Sequence, residues 1–584
     1  MAEEETRQYV RQQVHRSFSS LDELLPPLLC RENIFMFKNG SSLKPYQAVD
    51  VQRLHDREEG GHICGSPNNT GFVLAYDMGL GKTVVTIALV CKRPLRSNTD
   101  GVVPATLVVC PSVGIISHWA SEVQKFAPHL KVLIYHGKDL SRDTKFIGGF
   151  DIVLATYNQI CIQHRALLKF KELALRSGIR EGNNFPIDPE YCPLFLLKFH
   201  RIVFDEAHVM RNPVRQTPAA CWALRKNHGL CLSGTPAQNS LRDLYPLLKF
   251  LRVDYRGLHD LETFDRLITK PLKQGRIAEP TQLLQTVLPD AMIYRRKDDS
   301  LIKLPPKVDR TINLRLTRQE SEFYDYVRQH MPFKSMWAKL IRLRQACDHP
   351  FLLTKAIHAN EVEFTVGGTQ DSEVPDEAQS AGDGNVTEPV LEADMNPLKI
   401  PEALEFAREL LDPTYVSSKL AEVMEILHKI VDKREKTIVF GHSKVMLSLI
   451  SDKLAEQEIE SVVYDGDLNL QECEWALEKI RTDDQCLVLL MSIMAGGTGL
   501  NITACSHVIL IEPWWNPFVE EQAIDRVHRI GQTKTVYIYR LVVDETIEEN
   551  VVATQQDKLS SIGQVLNLCT VPGDKEVKGW VGDV

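Results

Sequence analysis

The 584-residue sequence predicts an α/β protein of two domains, each a parallel β-sheet covered by helices, joined by an acidic linker. Three observations lead there. The chain is too long for one ordinary hydrophobic core. Short apolar runs rich in β-branched residues alternate with helical stretches on both sides of one acidic segment. The runs lack clean in–out alternation, as strands buried on both faces do.

Before the acidic segment the runs are GFVLAYD (71–77), TLVVC (106–110), DIVLATY (151–157), RIVFDEAH (201–208) and GLCLSGT (229–235). After it come KTIVFGH (436–442), SVVYDGD (461–467), CLVLLMS (486–492), HVILIEP (507–513) and VYIYRLV (536–542). Between them, residues 355–400 set ten acids against Lys355 and Lys399, a net −8 of the chain's −9. Acidity is therefore local, and overall charge does not decide the partner. The core of this segment, GGTQDSEVPDEAQSAGDGNVTEP, has too little apolar surface to offset the entropy of ordering and reads as disordered.

Composition narrows the class further. Hydrophobic content of 43% and charged content of 25% are those of a soluble globular protein. No apolar run approaches the ~18 residues that suggest a membrane span. The beginning, MAEEETRQYV, is charged from its third residue, unlike a secretory leader. Thirteen cysteines without a CxxC pair point to reduced thiols of cytosol or nucleus, against a disulfide framework or zinc module.

The chemistry begins at AYDMGLGKTVVTIALV, Ala75 to Val90. An apolar strand runs through a glycine loop into a helix, the context a phosphate-binding loop requires. Gly79 and Gly81 let backbone N–H groups turn inward, and the helix N-terminus adds positive potential. Lys82 is placed to reach the outer phosphates and the Thr83 hydroxyl to hold Mg²⁺. In RIVFDEAHVM, Asp205 and Glu206 directly follow a strand, where adjacent carboxylates are costly without a nearby cation. Asp205 can take Mg²⁺, and Glu206 can orient and deprotonate an attacking water. Taken alone, DEAH also fits a solvated strand end. Late in the chain, EEQAIDRVHRIGQ (520–532) spaces Gln522, Arg526 and Arg529 at i, i+4 and i+7, which predicts one polar helix face.

DMGLGKT, DEAH, LSGTPAQN and QAIDRVHRIGQ, in that order, resemble the Swi/Snf-type ATPases of helicase superfamily two. The resemblance runs from LKPYQ (43–47) to about Thr546 and includes LVVCPSVGIISHW, LRQACDHP, SSKL and AGGTGLN. The wording is closest to the DNA-repair and transcription-termination branch. Many of its members carry a RING ubiquitin-ligase module between their lobes. This chain has the acidic linker there, with no cysteine between Cys347 and Cys473, so no ligase activity is expected.

The resemblance implies two tandem RecA-like lobes with helical insertions, ATP in the cleft between them, and double-stranded DNA across both. Arg526 and Arg529 would be arginine fingers, reaching from lobe 2 to the γ-phosphate held by lobe 1. Gln47 resembles the glutamine that reads the adenine edge. Asp77, Met78, Gly79, Leu80, Gly81, Lys82 and Thr83 would cradle the nucleotide, with Gly499 and Gln522 from lobe 2. Gly234, Thr235 and Gln238 would link nucleotide to lobe interface. Pro111, Ser112 and Thr156 of lobe 1, with Ser492, Gly496, Gly497 and Asn501 of lobe 2, would track the DNA backbone, which brings little sequence preference. Trp119 reads as core or as a base-stacking residue, the former favoured. Trp514 and Trp515 would pack at the lobe edge, and Asn516 and Pro517 would cap and start the arginine helix. Cys347 and His349 would be structural.

The implied boundaries are an N-terminal extension (1–40), lobe 1 (41–310), a helical insertion (311–355), the disordered linker (356–414), lobe 2 (415–565) and a tail (566–584). Two positions depart from the family pattern. Tyr76 stands where members carry Asp or Glu, for which a modest change in nucleotide affinity is expected. Met494 stands where members carry Arg or Lys beside a DNA phosphate. Losing that contact should lower the salt slope of DNA binding by ~0.9, which Met494→Lys would restore.

The function expected is a nuclear ATPase, stimulated by duplex DNA, that translocates and remodels chromatin or displaces DNA-bound proteins, nucleosomes among them, in repair or transcription. Two other readings stay open. One is a hydrolysis-poor DNA-binding scaffold, against which stand the intact Lys82, Thr83, Asp205, Glu206, Arg526 and Arg529. The other is an RNA helicase, since DEAH occurs there too.

Overall fold

The computed structural model describes residues 37, 40–60, 71–92, 101–137, 140–176, 192–238, 240–276, 278–297, 304–330, 336–354, 402–468, 470–493, 500 and 502–566. They divide into two compact units, one carried by the chain up to Lys303 and one by Leu304–Leu559.

The first unit holds β1 (Gly71–Tyr76), β2 (Val102–Cys110), β3 (Val132–Ile134), β4 (Ile152–Thr156), β5 (Lys198–Phe204), β6 (Arg225–Leu232) and β7 (Met292–Arg295). They form one sheet in the order β3-β4-β2-β5-β6-β1-β7, every pairing parallel. β1 and β4 are buried along their whole lengths, so hydrophobicity runs continuously along them. At the start of β1, Gly71 faces Gly229 of β6 so closely that a Cβ would come within 1.6 Å of the Gly229 oxygen, and only glycine fits that register. Three helices position the site. α1 (Pro45–Glu58) has proline at its first turn, where the missing N–H costs nothing. α2 (Lys82–Lys92) follows β1. α3 (Val113–Phe126) buries Ile115, Ile116, Trp119 and Val123, the stripe expected of a helix lying on a sheet. Leu54 and Val51 of α1 join Phe72, Leu74 and Tyr76 of β1 and Trp119 of α3 in one core; each fully buried large apolar side chain contributes about 1.5–3 kcal/mol.

The second unit holds β8 (Lys307–Leu314), β9 (Thr437–Gly441), β10 (Ser461–Tyr464), β11 (Val488–Ser492), β12 (His507–Leu510) and β13 (Val536–Val543). Their order is β10-β11-β9-β12-β13-β8, again all parallel. Along β11, Leu489 and Met491 enter one core while Val488 and Leu490 enter another. The sheet is thus covered on both faces, which is why its inner strands β11, β9 and β12 read as unbroken apolar runs. Helices used below are α4 (Met336–Asp348), α5 (Ser418–Val431), α6 (Pro517–Ile524) and α7 (Ile547–Leu566).

All ten apolar runs are strands, and both sheets are parallel and helix-covered as the sequence predicts. The boundaries differ from those expected. The sequence places the end of lobe 1 at residue 310 and a helical insertion over 311–355. Instead β8 spans that junction and pairs with β13 along its entire length, so the chain already belongs to the second unit at Leu304. β8 is a charged edge strand, exposed at five of its eight residues and fully buried at none, and the hydrophobic pattern does not announce it. The expected linker, 356–414, lies outside the described residues up to 401. From Glu402 onward the chain makes short 3₁₀ turns, and Ala407, Leu410 and Leu411 are buried with Phe323, Val327 and Leu343. Three apolar side chains with a core to enter keep 402–411 from behaving as linker. In the expected N-terminal extension, Phe37 is buried with its ring 5.1 Å from that of Phe126; residues 1–36 and the tail beyond Leu566 lie outside the described residues.

Candidate active site

β5, β6 and β1 are neighbours and run parallel, so three loops emerge side by side from the C-terminal edge of the first sheet. One carries Asp77–Gly81, one Ser233–Gln238 and one Asp205–Glu206.

In the first loop Gly79 and Gly81 have φ of +86° and +88°, a region that L-residues with a Cβ rarely enter. A Cβ on Gly81 would also meet the Gln47 amide nitrogen at 2.5 Å. The loop is braced from α1: Tyr46 Oη and Gln47 Nε2 donate to the Leu80 carbonyl at 2.8 and 3.0 Å. Gln47 Oε1 accepts the Lys44 N–H at 3.0 Å, so the amide expected at an adenine edge joins the loop to the start of its own helix. The Leu80 side chain is buried in the core and Met78 is buried beside it in the loop. Asp77 accepts the Lys297 N–H at 2.9 Å, and burial raises its carboxyl above the usual range. Lys82 begins α2 and donates to the Tyr76 carbonyl at 2.9 Å. Thr83 follows it, half-buried. Regular helix bonding starts with Val85 N–H to Gly81 O, so the N–H groups before it point out of the helix end.

Asp205 and Glu206 are both buried. Asp205 Oδ2 accepts Trp119 Nε1–H at 2.7 Å, and Oδ1 accepts the Glu206 N–H at 2.9 Å. Burial first and the Glu206 charge second push the Asp205 carboxyl up to about 6, against the opposing pull of Trp119 and Lys82. Glu206 takes a left-handed conformation, φ 46° and ψ 53°, a strained choice for a non-glycine residue and one found at functional sites. Its carboxylate is 3.3 Å from His208 Nδ1.

A polar chain continues into the Ser233–Gln238 loop. His208 Nδ1 lies 3.4 Å from Ser233 Oγ, which accepts the Thr235 N–H. Gln238 Nε2 donates to Thr235 Oγ1 at 2.9 Å and its Oε1 accepts Arg211 Nη1–H at 2.6 Å. A Cβ on Gly234 would sit 3.0 Å from Met78 and 3.6 Å from Lys82 Nζ, so that loop packs against the glycine loop. The structure therefore brings together Lys82, Asp205, Glu206, Gly234, Thr235 and Gln238. Pro111 and Ser112 follow β2, and Thr156 ends β4, on the same edge of the sheet.

The second unit has its own group. Ser492 ends β11. Met494, Gly496, Gly497, Gly499 and Asn501 lie outside the described residues. Asn516 caps α6 by accepting the Phe518 N–H, and Pro517 is its first residue, as the sequence implied. The single helix face expected for Gln522, Arg526 and Arg529 does not form, because α6 ends at Ile524. Beyond it the Arg526 carbonyl accepts the Ile502 N–H at 3.0 Å, and Gln532 Nε2 donates to the Cys505 carbonyl at 2.9 Å. The first of these tertiary bonds takes a carbonyl that a longer helix would need for its own N–H groups. Arg526 is 3% exposed, and Arg529 Nη1 donates to the Leu500 carbonyl at 2.9 Å. Trp514 stacks on His442 with centroids 3.8 Å apart, Arg344 lies 4.7 Å from its ring, and the Trp515 carbonyl accepts Lys558. His349 Nε2 bonds the Tyr415 carbonyl, and Cys347 is buried in the core.

Sequence reasoning did not foresee Trp119 as a partner of Asp205, nor Ser233 and Arg211 as links between loops. Their spacing carries no sign of it: Trp119 and Asp205 are 86 residues apart.

Residues 19–352, more than half of the chain, match the family model of the SNF2-related domain, and 418–531 match the helicase conserved C-terminal domain. The chain is 30% identical to DNA repair protein RAD5B of Arabidopsis thaliana, over 87% of this chain and 46% of that protein. It is 29% identical to RAD5A of the same plant, over 87% and 59%. The chain thus spans about half the length of these relatives. A probable global transactivator of Orgyia pseudotsugata multicapsid polyhedrosis virus is 27% identical over 90% of this chain and 92% of that one. Among solved structures, the Sulfolobus solfataricus SWI2/SNF2 ATPase core in complex with dsDNA aligns over 94% of this chain and 98% of its own, at 23% identity and a TM-score of 0.39.

Proposed function

The chain belongs to the SNF2-related family of helicase-like ATPases, and on that premise we propose that it is an ATP-driven translocase on double-stranded DNA. One observation carries this reading: the glycine loop with Lys82, the Ser233–Gln238 loop and the Asp205–Glu206 pair converge at adjacent strand ends. That is a site for phosphoryl transfer to water, in which positioning and electrostatics do most of the work.

ATP is the substrate. Gly79, Gly81 and the leading N–H groups of α2 receive its phosphates, and Lys82 adds a cation at the outer ones. The Thr83 hydroxyl and the Asp205 carboxylate are hard oxygen donors that suit Mg²⁺. The burial of two adjacent acids, with Asp205 raised to about 6, fits a site completed by a cation. Mg²⁺ bound there would neutralise charge on the phosphates. Glu206 takes a proton from the attacking water as the new O–P bond forms and ADP leaves. Its left-handed backbone and the His208 contact fix the carboxylate for that step. Arg526 and Arg529 supply positive charge to the phosphoryl group in transit. Gly234, Thr235 and Gln238 relay nucleotide state through the His208–Ser233–Arg211 chain.

Duplex DNA is the partner, contacted along its backbone by Pro111, Ser112 and Thr156, with Ser492, Gly496, Gly497 and Asn501 in the second unit. The DNA-repair names of its RAD5 relatives favour work on damaged or stalled DNA in the nucleus, against nucleosomes or other DNA-bound proteins.

The test is ATP hydrolysis with linear duplex, single-stranded DNA, RNA or no nucleic acid, beside Glu206→Gln. Duplex should stimulate most, and Glu206→Gln should lose about 10²–10⁴ in rate. A flat response to every nucleic acid favours a scaffold, preference for RNA favours an RNA helicase, and no rate above the variant removes the enzyme.

A further inference from the structure

Two aromatic side chains from different elements donate hydrogen bonds to one residue, Asp205. Trp119 Nε1–H reaches its Oδ2 at 2.7 Å, and Tyr157 Oη–H reaches its main-chain carbonyl at 2.9 Å. Trp119 is 1% and Tyr157 4% exposed. A buried indole N–H or phenol O–H needs an acceptor, yet that need does not select this aspartate twice.

The origin of each aromatic is informative. Trp119 lies on α3, whose N-cap is Ser112, two helical turns away. Tyr157 directly follows Thr156, the last residue of β4. Pro111–Ser112 and Thr156 are the lobe 1 segments assigned above to the DNA backbone. Each of them therefore ends in one buried hydrogen bond to Asp205, along a stiff helix in one case and a single peptide in the other. The rest of Asp205 is held as well: its N–H donates to Val109 of β2, and Oδ1 accepts the Glu206 N–H. A bond to a buried carboxylate is strong and steep in angle and distance, so small displacements of α3 act on the carboxylate rather than on slack.

We propose that Trp119 and Tyr157 are positioning residues that transmit occupancy of the two DNA-contacting segments to Asp205, setting how well it holds the metal-bound nucleotide. This rests on the translocase reading above. Reciprocity follows: if duplex strengthens magnesium–nucleotide binding through this route, magnesium–nucleotide strengthens duplex binding by the same factor.

The experiment measures the affinity of the full chain for a fluorescent ADP with Mg²⁺ or with EDTA, each with and without saturating linear duplex at one salt concentration. Wild type, Trp119→Phe, Tyr157→Phe and the double variant are compared. Wild type should show a duplex-induced tightening with Mg²⁺, in the usual coupling range of about 5- to 150-fold. In the ring-retaining variants that factor should collapse toward unity, most in the double variant, while affinity in EDTA stays that of wild type. Tyr157→Phe loses one oxygen atom and decides the matter by itself if Trp119→Phe does not fold. An undiminished factor in the variants overturns the proposal. So does an equal loss of affinity with and without DNA, which would make the aromatics mere supports. If wild type shows no response to duplex in binding or hydrolysis, the translocase reading falls first.

Discussion

Lys419 Nζ lies 2.8 Å from the Asp348 carboxylate, with the two side chains 0% and 4% exposed. Glu548 closes the group from α7, so one ammonium ties the end of α4, the start of α5 and α7 together. Burial works against the lysine's charge, yet Asp348 and Glu548 outweigh it and hold its pKa above the usual value. Removing the cation would leave two buried carboxylates together. Lys419→Met should therefore destabilise the second unit by about 3–5 kcal/mol, read from denaturant unfolding. Lys429→Ala, which breaks an exposed pair with Glu425 on the same helix, should leave the midpoint in place.

Tyr76 gives the departure from the family pattern a structural cause. It is fully buried, and its hydroxyl bonds the Asp50 carboxylate, which also receives Arg295 Nη2 at 2.9 Å. Tyr76→Phe should cost about 1–3 kcal/mol by leaving part of a buried carboxylate unsatisfied. Tyr76→Asp, the kind of residue relatives carry, should cost more, because it sets two buried carboxylates side by side. Thermal unfolding of both variants orders the effects. If the aspartate variant proves the more stable, Asp50 is not the partner that matters.

The arginine-finger role proposed for Arg526 and Arg529 makes a kinetic prediction. Each alanine substitution should lower kcat by about 10³ or more while nucleotide affinity changes little, since a finger meets charge that exists only in the transition state. Arg529→Lys should fail to rescue, because an ammonium lacks the planar fork. Loss of affinity with kcat intact would assign these residues to binding alone.

Glu512 predicts a pH dependence. Burial first and the Asp348 charge second push it up to about 8, against Arg344 and Lys419. Between its ordinary 4.5 and about 8 the folded protein holds a proton that the unfolded chain has released. Stability should therefore fall as pH rises through that window, with the loss complete above it. Glu512→Gln, which can still accept the His442 N–H, should flatten the profile. It should be the more stable protein at pH 8, by at least about 1 kcal/mol. Denaturant midpoints at pH 6 and 8 check this, and a wild-type midpoint that rises with pH refutes it.

Much of the molecule was legible before any coordinates. The inner strands were legible because they are buried on both faces, and burial is written in composition. The glycine loop, Lys82 at a helix start, Asp205–Glu206 at a strand end, and the Asn516–Pro517 cap are local events that local residues specify. β3 and β7 escaped notice because they are edge strands of three and four residues. β8 escaped because its charges mask a role set by β13, more than two hundred residues away. The periodicity of 520–532 suggested a helix longer than α6, because spacing says nothing of the Arg526 carbonyl's bond to Ile502.

The chain by itself settled the class of the protein: strands for two helix-covered parallel sheets, a glycine loop ahead of a helix and an acidic pair at a strand end, each strand and loop encoded within a dozen neighbouring residues. Tertiary structure alone decided which side chains hold those acids, where β8 belongs, and which charges meet inside the second unit. Such choices depend on residues brought together across a fold, and hydrogen bonding and desolvation act through space, where sequence distance leaves no trace.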